Sequence, residues 1–160
     1  MKLIVDKNSL GLENKEFVEY LKTPVRKTEI TNDEADELRM QLTQALIEHP
    51  GLGISATQIG IKKRACLIKF GDEELFLVNP QVIERSNDGF VFIEGCLSIP
   101  KIYGPVPRYS WVEVEYLTPD FTQKDAAGNP VLKKITEKKT RPHYLISILY
   151  SIYLTTLPNF

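Results

Sequence analysis

One helical period followed by a series of short strand-like runs is the feature that most limits what this chain can fold into. The stretch "DEADELRMQLTQALIEH" places Ala35, Leu38, Leu42, Ala45 and Leu46 at three-to-four spacing, which predicts one amphipathic helix. Thr31 or Asn32 can cap it, Asp33 and Glu34 suit its first turn, and Pro50 and Gly51 end it. After that point the periodicity changes. "RACLIKF" and "LFLVNPQVI" read as strands around a turn at Gly71–Asp72, and "GFVFIEGCLSI" reads as another strand. "SWVEVEYL" alternates, with Val112, Val114 and Tyr116 on one face and Glu113 and Glu115 on the other, Trp111 starting the polar side. "AAGNPV" is a turn and "PVLKKI" a strand after it. A helix followed by runs of strands predicts the α+β class: a single domain with mainly antiparallel sheets packed against an N-terminal helix.

The bulk numbers fit that picture and exclude several functions. The chain has 160 residues, 42% hydrophobic and 26% charged, enough for one domain with a sizeable core. Its formal net charge is -1, so composition gives no reason to expect direct nucleic-acid binding or an anionic membrane partner. The segment "MKLIVDKNSLGLENKEF" carries acidic residues where a secretion signal needs an apolar run, and no stretch is apolar for long enough to span a bilayer. Two cysteines, Cys66 and Cys96, are too few for a disulfide framework, and a cytoplasmic location is the expectation.

Two segments carry possible chemistry. In "GLGISATQIG", Gly51 and Gly53 allow close backbone approach, Ser55 and Ala56 keep the wall thin, and Gln58 offers a neutral donor and acceptor. Read alone, it is equally a glycine-rich connection with an incidental glutamine. It is not a phosphate loop, because no Gly-Lys-Ser/Thr follows. In "EGCLSIP", a thiolate at Cys96 could hold a transition metal, and Gly95 lets the chain turn or approach something closely. Read alone, Cys96 is more often a packed, inert cysteine than a ligand. Cys66, in an apolar strand, reads as packed.

Together, and in this order, the two segments resemble the first two signature motifs of the peptide deformylases. "LKTPVRKTEI", "VNPQVI" and "VPRYSWVEVEYL" are similar to the family's flanking segments, so the resemblance covers roughly residues 20–135. Ser55 stands where alanine is usual. The resemblance implies a metal-dependent hydrolase that removes the N-formyl group from the initiator methionine of polypeptides emerging from the ribosome. It implies Fe2+, with Zn2+ or Ni2+ able to replace it, and Cys96 as a ligand. Gln58 and the Leu97 N–H would hold the formyl oxygen as charge develops. Leu52, Gly53 and Gly95 would bind the substrate, Leu52 and Gly53 pairing with its backbone.

The family's third motif, H-E-x-x-H, is absent. The sequence has two histidines, His49 and His143. His49, beside Pro50, reads as a solvated helix end. His143 lies near the expected place, but Tyr144 stands where the glutamate belongs and Ser147 where the second histidine belongs, so Cys96 and His143 make two protein ligands. From Arg141 onward, "RPHYLISILYSIYLTTLPNF" has no Asp, Glu, Lys or Gly and a poor helical period. The domain is therefore family-like to about residue 140 with an atypical tail at 141–160, and the family's central metal-binding helix has no match there. A reading-frame shift after about Thr140 would account for the break. Three readings follow: a deformylase that has lost its third motif, an inactive deformylase-like peptide-binding protein, or a variant with ligands rearranged to Cys96, His143 and a carboxylate.

Overall fold

A computed structural model describes residues 19–20, 23–27, 29–70 and 72–140. His143 and the rest of the tail at 141–160 lie outside the described residues. Helix α1 spans Asn32–Glu48. Thr31 caps it: its hydroxyl accepts from the Glu34 N–H, and the Glu34 carboxylate accepts from the Thr31 N–H, so two orphan donors are satisfied reciprocally. Asn32 then ties the helix start to the far hairpin. Its Oδ1 accepts from the Leu132 N–H at 3.0 Å and its Nδ2 donates to Asp125 at 3.1 Å.

Strands β1 (Gly53–Ser55), β2 (Ala65–Phe70), β3 (Glu73–Arg85), β6 (Trp111–Lys124) and β7 (Pro130–Thr140) form an antiparallel sheet in the order β1-β2-β3-β6-β7. Strands β4 (Gly89–Cys96) and β5 (Ile99–Tyr109) form a separate two-stranded sheet. The α+β expectation holds, with antiparallel pairing throughout the described residues.

Strands β2 and β3 are buried on both faces, which is why they read as unbroken apolar runs. On one face, Ala65, Leu67, Phe76 and Val78 pack against the helix residues Ala35, Leu38, Leu42, Ala45 and Leu46. The opposite face carries Cys66, Ile68 and Leu77 with Val112, Val114 and Tyr116 of β6. Each such large apolar side chain contributes roughly 1.5–3 kcal/mol of transfer free energy. Burial pushes the Cys66 thiol well above its ordinary range, so it stays protonated and inert.

Among the described strands β7 lies at the edge opposite β1, and its lysines lean back onto the sheet. Lys133 meets Asp120 at 3.2 Å, Lys134 meets Glu115 at 2.7 Å, and Lys138 lies 3.5 Å from the centre of the Trp111 ring. Exposed pairs of this kind add little stability, but charge along an edge discourages pairing with other chains.

The strand expected through "GFVFIEGCLSI" stops sooner than the pattern implied. A register shift separates Gly95 from Cys96, a turn occupies Leu97–Ser98, and β5 starts at Ile99. Burial explains the early stop. Ser98 is fully buried while Cys96 is exposed, so the chain must fold over sharply to bring the serine inward.

Candidate functional site

Gln58 sits on a short 3-10 helix, Ala56–Ile59, that leaves β1 and is closed by Gly60 in the left-handed region at φ 86°. A side chain at Gly60 would strain that turn. The tight helix turns Gln58 inward, where it is 5% exposed. Its Oε1 accepts from the Ser55 N–H at 3.0 Å and from the Ser55 hydroxyl at 3.2 Å. Its Nε2 donates to Ser98 Oγ at 3.2 Å and lies 3.8 Å from Cys96 Sγ. The two sequence segments therefore meet, and they meet through the glutamine and the cysteine.

A second contact joins them. A Cβ added at Gly51 would come 3.0 Å from Leu97 Cδ1, and the Leu97 side chain packs against the helix-side core. Gly51 thus leaves room for the leucine that anchors the cysteine turn. Gly95 has the matching role on the other strand: it pairs with Tyr103, and a Cβ there would come 2.8 Å from the Tyr103 ring.

β1 is the outer strand of its sheet and pairs with β2 alone among the described strands. The Leu52 carbonyl accepts from the Lys69 N–H at 2.9 Å, so it is committed to β2. Alternate residues of an antiparallel strand point their amides to opposite sides, so Gly53, paired with Ile68, turns its own N–H and C=O to the open edge. Of these two positions, the backbone groups offered to an added strand are those of Gly53, while Leu52 presents a half-exposed side chain.

Arg108 makes a two-pronged ion pair with Glu94. Its Nε donates to Glu94 Oε1 at 2.7 Å and its Nη2 to Glu94 Oε2. The guanidinium is 2% exposed and the carboxylate 12%. Glu94 is two residues before Cys96, so the pair braces the strand that delivers the thiol.

Three residues with a part in this arrangement were not singled out from the sequence. Ser98 follows the cysteine by two positions, but the turn at Leu97–Ser98 breaks the strand alternation, so no spacing points to it. Ser55 was read only as a small residue. Glu94 opens the cysteine segment and pairs across the hairpin with the strand that carries Arg108.

The metal expectation meets a shortage of donors. Among the described residues no three His, Cys, Asp or Glu side chains are grouped to hold a metal ion. His49 is the C-cap of α1, its N–H bound to the Ala45 carbonyl. Cys96 supplies one sulfur, and a catalytic site ordinarily takes three protein ligands. The segment 141–160 offers one imidazole, His143, and no carboxylate. The described donor set does not fit a three-ligand catalytic ion.

Comparison with known proteins places the site in a family. The polypeptide deformylase profile matches residues 14–140. The chain belongs to the polypeptide deformylase family. Peptide deformylase 1 of Bacillus subtilis (strain 168) is 38% identical over 98 residues, covering 60% of this chain and 61% of that relative. The peptide deformylase of Rhizobium meliloti (strain 1021) is 29% identical over 137 residues, covering 81% of this chain and 78% of the relative. A class I type b peptide deformylase from Acinetobacter baumannii superimposes with a TM-score of 0.69 at 25% identity, covering 94% of this chain and 93% of that one. Against the first curated deformylases it matches, the chain spans about three fifths of their length. The protein is deformylase-like in fold and in the two motif segments, and the matched profile stops where the compositional break begins.

Proposed function

We propose that this deformylase-like chain recognises N-formyl-methionyl peptides emerging from the ribosome, in the cytoplasm, through the cleft between β1 and the cysteine turn. The observation that carries the reading is the meeting of Gln58 Nε2 with Cys96 Sγ at 3.8 Å beside the open edge of β1. The Gly53 amide and carbonyl supply strand-type pairing to the peptide backbone, and Gly95 keeps the facing wall low. Gln58 Nε2 donates to the formyl oxygen, with the Leu97 N–H as the second donor. Leu52 shields one side of the bound methionine.

Metal-assisted hydrolysis belongs to the family, and Fe2+, Zn2+ or Ni2+ would supply an activated water. Cys96, with His143 from the tail, is too small a donor set to hold such an ion firmly. The reading is therefore peptide recognition with hydrolysis strongly reduced. The test is anaerobic preparation, metal analysis, and a formyl-methionyl peptide assayed both for binding by calorimetry and for hydrolysis. Peptide binding with less than stoichiometric metal and little turnover supports the reading. Stoichiometric metal with turnover abolished by Cys96→Ser overturns it in favour of a rearranged active site.

A further inference from the structure

We propose that two buried serines, Ser55 and Ser98, are positioning residues that lock the Gln58 amide in one orientation and aim a single N–H at the place where a formyl oxygen would sit. The inference rests on the peptide-recognition reading for its purpose, but not for its geometry. Both serines are fully buried and Gln58 is nearly so.

The direction of each hydrogen bond can be worked out. Gln58 Oε1 can only accept, so the Ser55 hydroxyl at 3.2 Å donates to it. That uses the one proton of Ser55. The Thr57 hydroxyl, 2.9 Å from Ser55 Oγ, must then be the donor in that contact. The chain runs one way: Thr57 donates to Ser55, Ser55 to Gln58, and Gln58 to Ser98. Bonds aligned in this sense polarise one another, which makes the Gln58 N–H groups better donors.

The Ser55 N–H at 3.0 Å decides which end of the amide faces which way. A flipped amide would set its NH2 against that N–H, donor against donor. With Oε1 held, the Nε2 end carries two hydrogens. Ser98 Oγ at 3.2 Å takes one of them. The other is directed to the side where Cys96 Sγ lies, 3.8 Å away, a long contact that an incoming carbonyl oxygen can displace. Without the Ser98 hydroxyl the amide keeps its anchor at Oε1 but loses the partner that fixes its plane. Without the Ser55 hydroxyl it keeps the backbone anchor and loses polarisation. Ser98→Ala is therefore the more damaging change.

The test is nuclear magnetic resonance of the 15N-labelled full chain, following hydrogen exchange of the Gln58 side-chain NH2 against the exposed Gln44 and Gln123. Gln58 exchanges far more slowly than both in the unaltered protein. Ser98→Ala speeds it about tenfold and Ser55→Ala by less, the scale set by loss of one net hydrogen bond. Backbone exchange in β2 and β3 stays constant, which a general loosening of the fold would not allow. Unchanged Gln58 exchange in Ser98→Ala overturns the proposal, and so does an equal rise in the β2 and β3 backbone. Affinity for a formyl-methionyl peptide and for its unformylated counterpart is measured in parallel. Loss of the formyl preference in Ser98→Ala, with the weaker affinity kept, supports the proposal, and a formyl preference kept intact overturns the aiming role. Absence of any peptide binding in the unaltered protein defeats the recognition reading while the exchange result still decides the positioning one.

Discussion

The five-stranded sheet and the β4–β5 hairpin are held together by different forces. The sheet has apolar side chains buried on both faces: α1 packs against one, and on the other the side chains of β2, β3 and β6 cluster with Tyr109 of β5. The hairpin has an apolar face that stays exposed among the described residues. Val91, Ile93 and Gly95 are paired with Pro107, Pro105 and Tyr103, so these residues share one face, and all are exposed. Apart from the apolar ties of Leu97 and Tyr109, its anchors are polar and local: the Glu94–Arg108 pair, and Gly89, where a Cβ would come within 2.3 Å of the Arg108 carbonyl oxygen. The scaffold is thus secured by apolar burial. The arm that carries the thiol leans more on one ion pair and one close backbone approach, with Leu97 and Tyr109 as its apolar ties.

Leu42→Ala strikes the helix-packed face of the sheet and has the largest expected effect. Leu42 is fully buried between α1 and the sheet. Its truncation leaves a cavity and costs about 3–4 kcal/mol, read as a fall in the denaturant midpoint. A loss below about 1 kcal/mol would mean the helix does not pack as described.

Glu94→Gln strikes the hairpin and comes next. It keeps the shape and removes the charge, leaving a guanidinium that is 2% exposed without its carboxylate. The expected cost is about 3 kcal/mol, the low end for breaking a buried pair because Glu94 keeps some contact with water. The cost falls on the cysteine arm, so Cys96 alkylation changes in Glu94→Gln and stays as it was in a mild core variant.

How much of this was legible in the sequence follows the same division. Helix α1 and the inward set Val112, Val114 and Tyr116 were readable because each buries one face, which imposes a period on the residues. Cys66 was readable because it sits in an unbroken apolar run. The turn at Leu97–Ser98 was not, because "GCLSI" is apolar enough to pass for a continuous strand, and only the demand for a buried serine breaks it. Cys96 and Gln58 were found through the resemblance, not through spacing: a hydrogen bond between separate loops leaves no local period. Glu94 and Arg108 were invisible as a pair, since charge in a sequence does not say which partner it will meet.

The acid limb of stability tests the joint between helix and hairpin turn, with a smaller effect. The Asn32 amide, followed by the Asn129 and Ala127 backbone N–H groups, holds the Asp125 carboxyl below its ordinary value of 3.8. A carboxylate whose folded value is depressed contributes stability that is fully present above the unfolded value. That contribution is lost as pH falls through 3.8 toward the lower folded value. Asp125→Asn therefore flattens the fall in stability between about pH 4 and the folded value and lowers stability at neutral pH. Denaturation midpoints measured at pH 3, 4 and 7 check the sign. A variant as steep in acid as the parent would show that this joint does not titrate with folding.

The smallest effect expected is the most informative about the hairpin. Val91 and Ile93 are 65% and 63% exposed and lie on the face away from the Glu94–Arg108 pair. Replacing both by threonine keeps the β-branched shape that suits a strand and removes only apolar surface already in water. The expected change is within about 0.5 kcal/mol, alongside a gain in solubility. That would mark the hairpin as an arm whose outer face carries no folding load, in contrast to β2 and β3. A cost above about 1 kcal/mol would reverse the comparison. It would mean that this face is buried in the protein in solution, and that the arm bearing Cys96 is layered like the sheet beside it.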